Sequence, residues 1–244
     1  MGTLNLGHRG ASAHAPENTL AAFNLAFDMG ADGVELDVSV TKDGVPVVIH
    51  DNRVDRTTDG RGAIAEMTLA EVKQLDAGSF FGGKFRGERI PTLAEVLDGP
   101  GRRGIVNIEL KSGRPISVGL EAAAIAKVIE ETHARERVII SSFNHFALAS
   151  IHMLDAELPL GFLYFDRAPV SFPYMKTRPL AQPNALHPRF TVVTQGFVQW
   201  ARRENYKLNI WTVDDPAEMR RLISLGVNSI MTNKPDVLSQ VLGK

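Results

Sequence analysis

The chain has 244 residues, of which 27 are basic and 28 acidic, for a formal charge of -1. That balance offers no basic surface to a nucleic-acid backbone, and the absence of cysteine excludes disulfides and thiolate metal ligands while fitting a reducing, cytoplasmic setting. No apolar run approaches the roughly 20 residues needed to span a bilayer, and the opening MGTLNLGHRG has neither a basic leader nor an apolar h-region, so no integral membrane segment is expected.

In chain order, Leu4–Leu6 reads as a strand that stops in the basic pair His8-Arg9, flanked by glycines. Pro16-Glu17-Asn18-Thr19 opens a helix whose apolar residues from Leu20 to Phe27 keep helical spacing, with Gly30 as its stop. The second strand spans residues 32–38. Glu35, Asp37 and Ser39 share one parity in it, so Glu35 and Asp37 point the same way from neighbouring levels. Lys42-Asp43-Gly44 signals a turn. Val45–Ile49 reads as another strand ending at His50-Asp51, which in the count of barrel strands is either an extension of the second strand region or part of its loop.

Residues 52–90 break the rhythm with Gly, Arg, Asp and Thr, a helical pattern over Leu69–Leu75 and the cluster Phe80, Phe81, Phe85. They read as a small insertion near the mouth of any site. A helix restarts at Pro91–Leu97, and a strand at Ile105–Leu110 leads into Lys111. Regular alternation follows: helix 117–132, strand Val138–Ile140, helix 144–154 and strand Leu160–Tyr164. After residues 165–183, where a short helix is expected near Tyr174, come strand Ala185-Leu186, helix 195–205, strand Leu208–Val213, a helix capped by Asp215-Pro216, strand Val227–Met231 and a helix from Pro235.

Eight strands alternating with helices over 244 residues specify an α/β fold, a (β/α)₈ TIM barrel with a small insertion after strand 2. The competing doubly wound sheet usually carries a G-x-G-x-x-G first crossover, which is missing here.

The chemistry collects at the carboxyl ends of these strands, the face where barrels place their active sites. His8 and Arg9 follow strand 1, Glu35 and Asp37 end strand 2, His50 follows the segment after it, Glu109 and Lys111 end strand 3, and Trp211 sits on strand 7. Three carboxylates suit a hard divalent cation such as Mg²⁺ or Ca²⁺. Arg9 and Lys111 suit an anion, Arg in particular a phosphate, and His8 and His50 can each move a proton near neutral pH. A metal, two cations and two histidines fit displacement at phosphorus, with Trp211 either a core residue or an apolar wall for the organic part of the substrate. His14, His133, His145 and His152 read as structural or surface residues, and His187 as either rim or structure.

The segments GHRG (7–10), PENT (16–19), VELDV (34–38), KDGVPVVIHD (42–51), DRTTDGRG (55–62), GERIPTLAEVL (87–97), NIELK (107–111), SSF (141–143) and WTVDDP (211–216) together resemble the glycerophosphodiester phosphodiesterase family over practically the whole chain. The resemblance implies metal-dependent hydrolysis of a small-molecule glycerophosphodiester, such as glycerophosphocholine, to sn-glycerol 3-phosphate and an alcohol, through a cyclic phosphate. It makes His8 and His50 the acid/base pair and Glu35, Asp37 and Glu109 the ligands of one divalent ion. Arg9 and Lys111 then hold phosphate, and Glu17 and Asn18 orient the histidines and metal ligands. Asn233 stands where an aspartate is frequent, a departure expected to concern only the rim. Rival readings are a lysophospholipase-like relative seating an acyl chain on Phe80, Phe81 and Phe85, a magnesium-assisted enoliser or aldolase, and a barrel kept as a binding module.

Overall fold

A computed structural model describes residues 2–111, 118–165 and 181–244. The strands are β1 (Leu4–His8), β2 (Gly33–Val40), β3 (Pro46–Val48), β4 (Ile105–Leu110), β5 (Val138–Ser142), β6 (Leu160–Tyr164), β7 (Ala185–Pro188), β8 (Lys207–Ile210) and β9 (Ser229–Thr232). All but β3 run parallel in the ring β1-β2-β4-β5-β6-β7-β8-β9, and β9 pairs back onto β1 to close it. Helices between the strands cover the outside, so a strand such as β2 is buried on both faces from Gly33 to Ser39, its polar Glu35, Asp37 and Ser39 included. The expected (β/α)₈ barrel is the observed fold.

The strand expected at Val45–Ile49 is present, shortened by one residue at each end. Residues 46–48 form β3, antiparallel to the outer end of β2 with Val38 opposite Val48 and Val40 opposite Pro46. The end of β2 outruns its pairing with β1, which stops at Glu35, and so has an edge free for a hairpin partner. After β3, residues 52–90 pack a small core of their own from Val54, Ile64, Val72, Ala77 and Ile90 together with Val47 and Ile49. Here the expected helix shortens to Leu69–Val72, fixed by a capping box between Thr68 and Glu71. The helix expected near Tyr174 lies outside the described residues.

Helix boundaries follow their caps. Thr19 accepts from the Ala22 amide to start the helix Leu20–Asp28, and Asp215 accepts from Ala217 and Glu218 ahead of the helix Pro216–Leu225. Among the described residues, no helix is long and apolar enough to cross a membrane.

Polar side chains cross the barrel interior below the carboxyl-terminal face. Asn107 Nδ2 donates to Ser141 Oγ at 2.9 Å, Ser229 Oγ donates to Asn209 Oδ1 at 2.8 Å, and Asn209 Nδ2 lies 2.8 Å from His187 Nε2. His187 therefore belongs to the interior and is fully buried, not a rim residue, and burial pushes its pKa down to about 3. Its ring fills space that only glycine leaves open on the neighbouring strand: a Cβ on Gly161 would stand 2.2 Å from His187 Nε2.

Candidate active site

The register of β2 against β4 builds the acidic floor. Asp37 lies opposite Glu109, and Glu35 opposite Asn107 and beside His8 of β1. One oxygen from each of Glu35, Asp37 and Glu109 falls within 4.8 Å of the others, and all three residues are buried. Lys111 Nζ reaches Glu109 Oε1 at 2.6 Å and Asp37 Oδ1 at 3.1 Å, while Arg9 Nε lies 3.3 Å from Asp37 Oδ2.

Burial, together with the charges of Asp37 and Glu109, raises the Glu35 pKa well above the usual carboxylate range. Burial and the Asp37 charge also lift Glu109 to about 7, despite Lys111 beside it. For Asp37, burial acts upward but Lys111 and Arg9 prevail and hold it at about 2. Three buried carboxylates facing two cations would, if all ionised, leave one negative charge uncompensated, a cost that a divalent cation could relieve. Among the described residues Asp37 Oδ1 is met by the Lys111 ammonium at 3.1 Å without a well-aligned hydrogen bond. An all-oxygen, cysteine-free donor set of this kind fits a hard divalent ion.

The turn after β1 aims Arg9. Arg9 and Asn18 both hold left-handed backbone, with φ of 56° and 59°, a conformation that costs a non-glycine residue about 1–3 kcal/mol and clusters at functional positions. Gly10 follows, also left-handed, and a Cβ there would meet the Ala22 carbonyl carbon at 2.6 Å. The contorted turn lets the Arg9 amide donate to Glu35 Oε2 at 3.1 Å while its guanidinium reaches Asp37 and Glu17. Asn18 Nδ2 donates to Asp37 Oδ2 at 2.9 Å. Glu17 touches neither histidine: it binds Arg9 at 3.0 Å and Arg56 at 2.8 Å.

The two histidines have different partners. His50 Nδ1 stands 2.6 Å from Asp51 Oδ1, and Arg56 Nε holds the other oxygen of Asp51 at 2.8 Å. His8 Nδ1 stands 2.7 Å from Asn233 Oδ1, and its Nε2 lies 3.9 Å from Glu35 Oε2. Burial, with Arg9 adding to it, pushes the His8 pKa down to about 4, so the ring is neutral near pH 7. Asn233 thus touches a histidine at the site and does more than shape the rim. Sequence reasoning passed over Asp51, Arg56, Asp214 and Asn233 as site residues. For Asp51 the adjacent His-Asp dipeptide was the available signal; Asp214 and Asn233 reach the site only through barrel closure.

A chamber of about 180 Å³ is lined by His8, Arg9, Glu35, His50, Glu109, Lys111 and, on its apolar side, Phe143, Phe165 and Trp211. It adjoins a broader cleft of about 870 Å³ that shares His50, Glu109, Lys111, Phe143 and Phe165 with it. Trp211 packs edge-on against Phe143 and Phe165, each 5.6 Å away, and donates its Nε1–H to the His187 carbonyl at 2.6 Å. Every residue that the sequence placed on this face is therefore in or beside one chamber, with Glu17 and Asn18 behind it.

The model of the Glycerophosphoryl diester phosphodiesterase family matches residues 8–237. A glycerophosphodiester phosphodiesterase of Caldanaerobacter subterraneus is 46% identical over 100% of this chain and 99% of its own length. One from Bacillus subtilis is 34% identical over 98% of this chain and 86% of its own. Among solved structures, a phosphodiesterase from Oleispira antarctica in complex with its product sn-glycerol-3-phosphate superposes with a TM-score of 0.89 at 32% identity, covering 98% of this chain and 96% of that one. With the family spanning nearly all of its sequence and its fold, the chain belongs to the glycerophosphoryl diester phosphodiesterases and is an enzyme of that class.

Proposed function

We propose that this enzyme hydrolyses glycerophosphodiesters such as glycerophosphocholine to sn-glycerol 3-phosphate and an alcohol, with the diester phosphate in the chamber of about 180 Å³. The observation that carries the reading is the convergence on that one chamber of His8, His50, Arg9, Lys111, Glu35 and Glu109, with Asp37 completing the acidic cluster beside the last two. Relatives named for this activity, and one solved with sn-glycerol-3-phosphate, support it.

Glu35, Asp37 and Glu109 would hold one divalent ion, Mg²⁺ or Ca²⁺, which supplies positive charge to the phosphate oxygens when bound. Arg9 and Lys111 add charge-assisted donors to those oxygens. The unprotonated Nε2 of His8 takes the proton from the attacking hydroxyl, the glycerol 2-hydroxyl. A P–O bond forms to that oxygen, and the bond to the departing alcohol breaks as His50 delivers a proton to its alkoxide. Water then adds to the phosphorus of the cyclic phosphate and the P–O bond to the glycerol 2-oxygen breaks, His50 taking the water's proton and His8 returning its own to that oxygen, which restores both rings. Backing by the Asp51 carboxylate suits His50 to carry the proton it gives up, whereas the neutral amide behind His8 suits an acceptor. Phe143, Phe165 and Trp211 give the carbon skeleton an apolar wall.

The test is release of sn-glycerol 3-phosphate from glycerophosphocholine, assayed with and without exhaustive chelation. Release that stops with chelator and returns with Mg²⁺ or Ca²⁺ supports the reading; undiminished release overturns the metal's part in it, and no release from any glycerophosphodiester overturns the substrate. Phe80, Phe81 and Phe85 cluster together but line neither the chamber nor the cleft, so an acyl-chain substrate gains no support from them.

A further inference from the structure

We propose that Asn233, held in place by Asp214, is a positioning residue that fixes His8 as its Nδ1–H tautomer and so turns the Nε2 lone pair into the chamber. The inference rests on the reading of His8 as the base, but it is carried by a hydrogen-bond circuit that can be followed donor by donor.

Among the described residues Asp214 accepts three hydrogen bonds. Thr232 Oγ1 donates to its Oδ1 at 2.9 Å, the Asn233 backbone amide donates to the same oxygen at 2.8 Å, and Asn233 Nδ2 donates to Oδ2 at 2.6 Å. A carboxylate only accepts, so the atom of the Asn233 amide that meets Asp214 must be its NH₂. The carbonyl Oδ1 is thereby left facing the other way, where it meets His8 Nδ1 at 2.7 Å. An amide oxygen has no proton to give, so His8 Nδ1 must carry one. In the neutral ring Nε2 is then bare. Ser12 braces the same corner, with its Oγ 2.8 Å from the His8 carbonyl and 2.7 Å from Asn233 Oδ1, and donates its one proton to one or the other.

The circuit also explains why an amide can do this work. An aspartate at 233 would accept from His8 equally well but would face the Asp214 carboxylate across the 2.6 Å now spanned by an N–H···O bond. Asn233 puts a donor toward Asp214 and an acceptor toward His8, and orients the ring without adding a charge behind it.

The prediction is read first by ¹⁵N NMR of histidine-labelled protein without metal or substrate, with the His8 signals assigned by their loss in His8→Gln. Wild type should show Nδ1 protonated and Nε2 bare near neutral pH. Asn233→Ala should yield a mixed or Nε2–H tautomer, and its kcat on glycerophosphocholine should fall by about tenfold or more with KM nearly unchanged. Because Asn233→Ala could also disturb the turn, an exchange of partners gives the second arm. Asn233→Asp alone should lose activity through its clash with Asp214, and the double variant Asn233→Asp/Asp214→Asn should recover both the tautomer and most of the kcat. An Nε2–H tautomer in wild type, an unchanged tautomer in Asn233→Ala, or a double variant no better than Asn233→Asp overturns the proposal. The tautomer is observed without turnover, so it stands or falls separately from the identity of the substrate.

Discussion

Arg56 lays both terminal nitrogens of its guanidinium on the Glu17 carboxylate, at 2.9 and 2.8 Å, across 39 residues of sequence. It also holds Asp51, the partner of His50, at 2.8 and 3.1 Å. One side chain from the segment after β3 thus ties the loop that carries Arg9's partner to the residue behind the second histidine.

The first prediction concerns stability against pH. Arg56, with His50 adding to it, holds the Asp51 carboxyl far below its ordinary range; for Glu17, burial acts upward but Arg56 and Arg9 prevail and lower it. Groups with depressed folded-state pKa values stabilise fully above their unfolded values, about 4, and lose that contribution as the pH falls through the folded values. Arg56→Ala should therefore lower Tm at pH 7. The cost should be only about 1 kcal/mol, because the side chain is half exposed and screened. The gap from wild type should narrow below roughly pH 4. A gap that stays constant to pH 2.5 in thermal melts would show that the ion pairs are not its source.

Removing charge from the acidic floor should separate activity from stability. Glu35 is raised because burial and two neighbouring carboxylates oppose its ionisation, so its charge weakens the metal-free fold as the pH rises past the unfolded value. Glu35→Gln should lose most activity yet melt no lower than wild type in chelator. Saturating Mg²⁺ or Ca²⁺ should raise the wild-type Tm, by the equivalent of about 2.7 kcal/mol at a hundredfold excess over Kd, and leave the variant's Tm unmoved. Equal shifts in both proteins would exclude the triad as the metal site.

For Trp211, two roles can be pulled apart. Its indole N–H serves the His187 carbonyl and its face serves the chamber. Trp211→Phe should keep kcat/KM within a few-fold while costing stability about 1 kcal/mol for the lost hydrogen bond. Trp211→Ala should lower kcat/KM by more than tenfold. If the phenylalanine variant is as inactive as the alanine one, the contribution of Trp211 lies in its indole N–H and not in the apolar face it turns to the chamber.

The histidines are assigned by leaving group. With choline departing, His8→Ala and His50→Ala should each cost about 10²–10⁴-fold in kcat. With a p-nitrophenyl diester that keeps the glycerol, the loss in His50→Ala should shrink sharply while that in His8→Ala persists. Rescue of His8→Ala instead would reverse the roles, and rescue of neither would leave His50 an orienting residue.

What could be read from the sequence was whatever local periodicity encodes. Glu35 and Asp37 share a parity on one strand, Glu109 and Lys111 on another, and parallel pairing of those strands brings them together as a set. Strand β3 was ambiguous because an apolar pentapeptide holding a proline says little about which edge it pairs with. Partners set by closure were beyond reach: nothing local tells that Asn233 meets His8, 225 residues away, or that Arg56 bridges Glu17 and Asp51. His187 could be read as either rim or structure because a strand end is near; the Gly161 notch that admits its ring inward belongs to a different strand.

Pairing of β1 with β9 completes the ring, and it joins segments separated by more than 220 residues. Contacts so distant in sequence form late when a chain folds, since a large loop must be closed before they stabilise anything. His8 receives Asn233 only through that seam. On dilution from denaturant, helical circular dichroism should therefore return ahead of catalytic turnover, and the lag between the two would time the moment at which the sheet becomes a barrel.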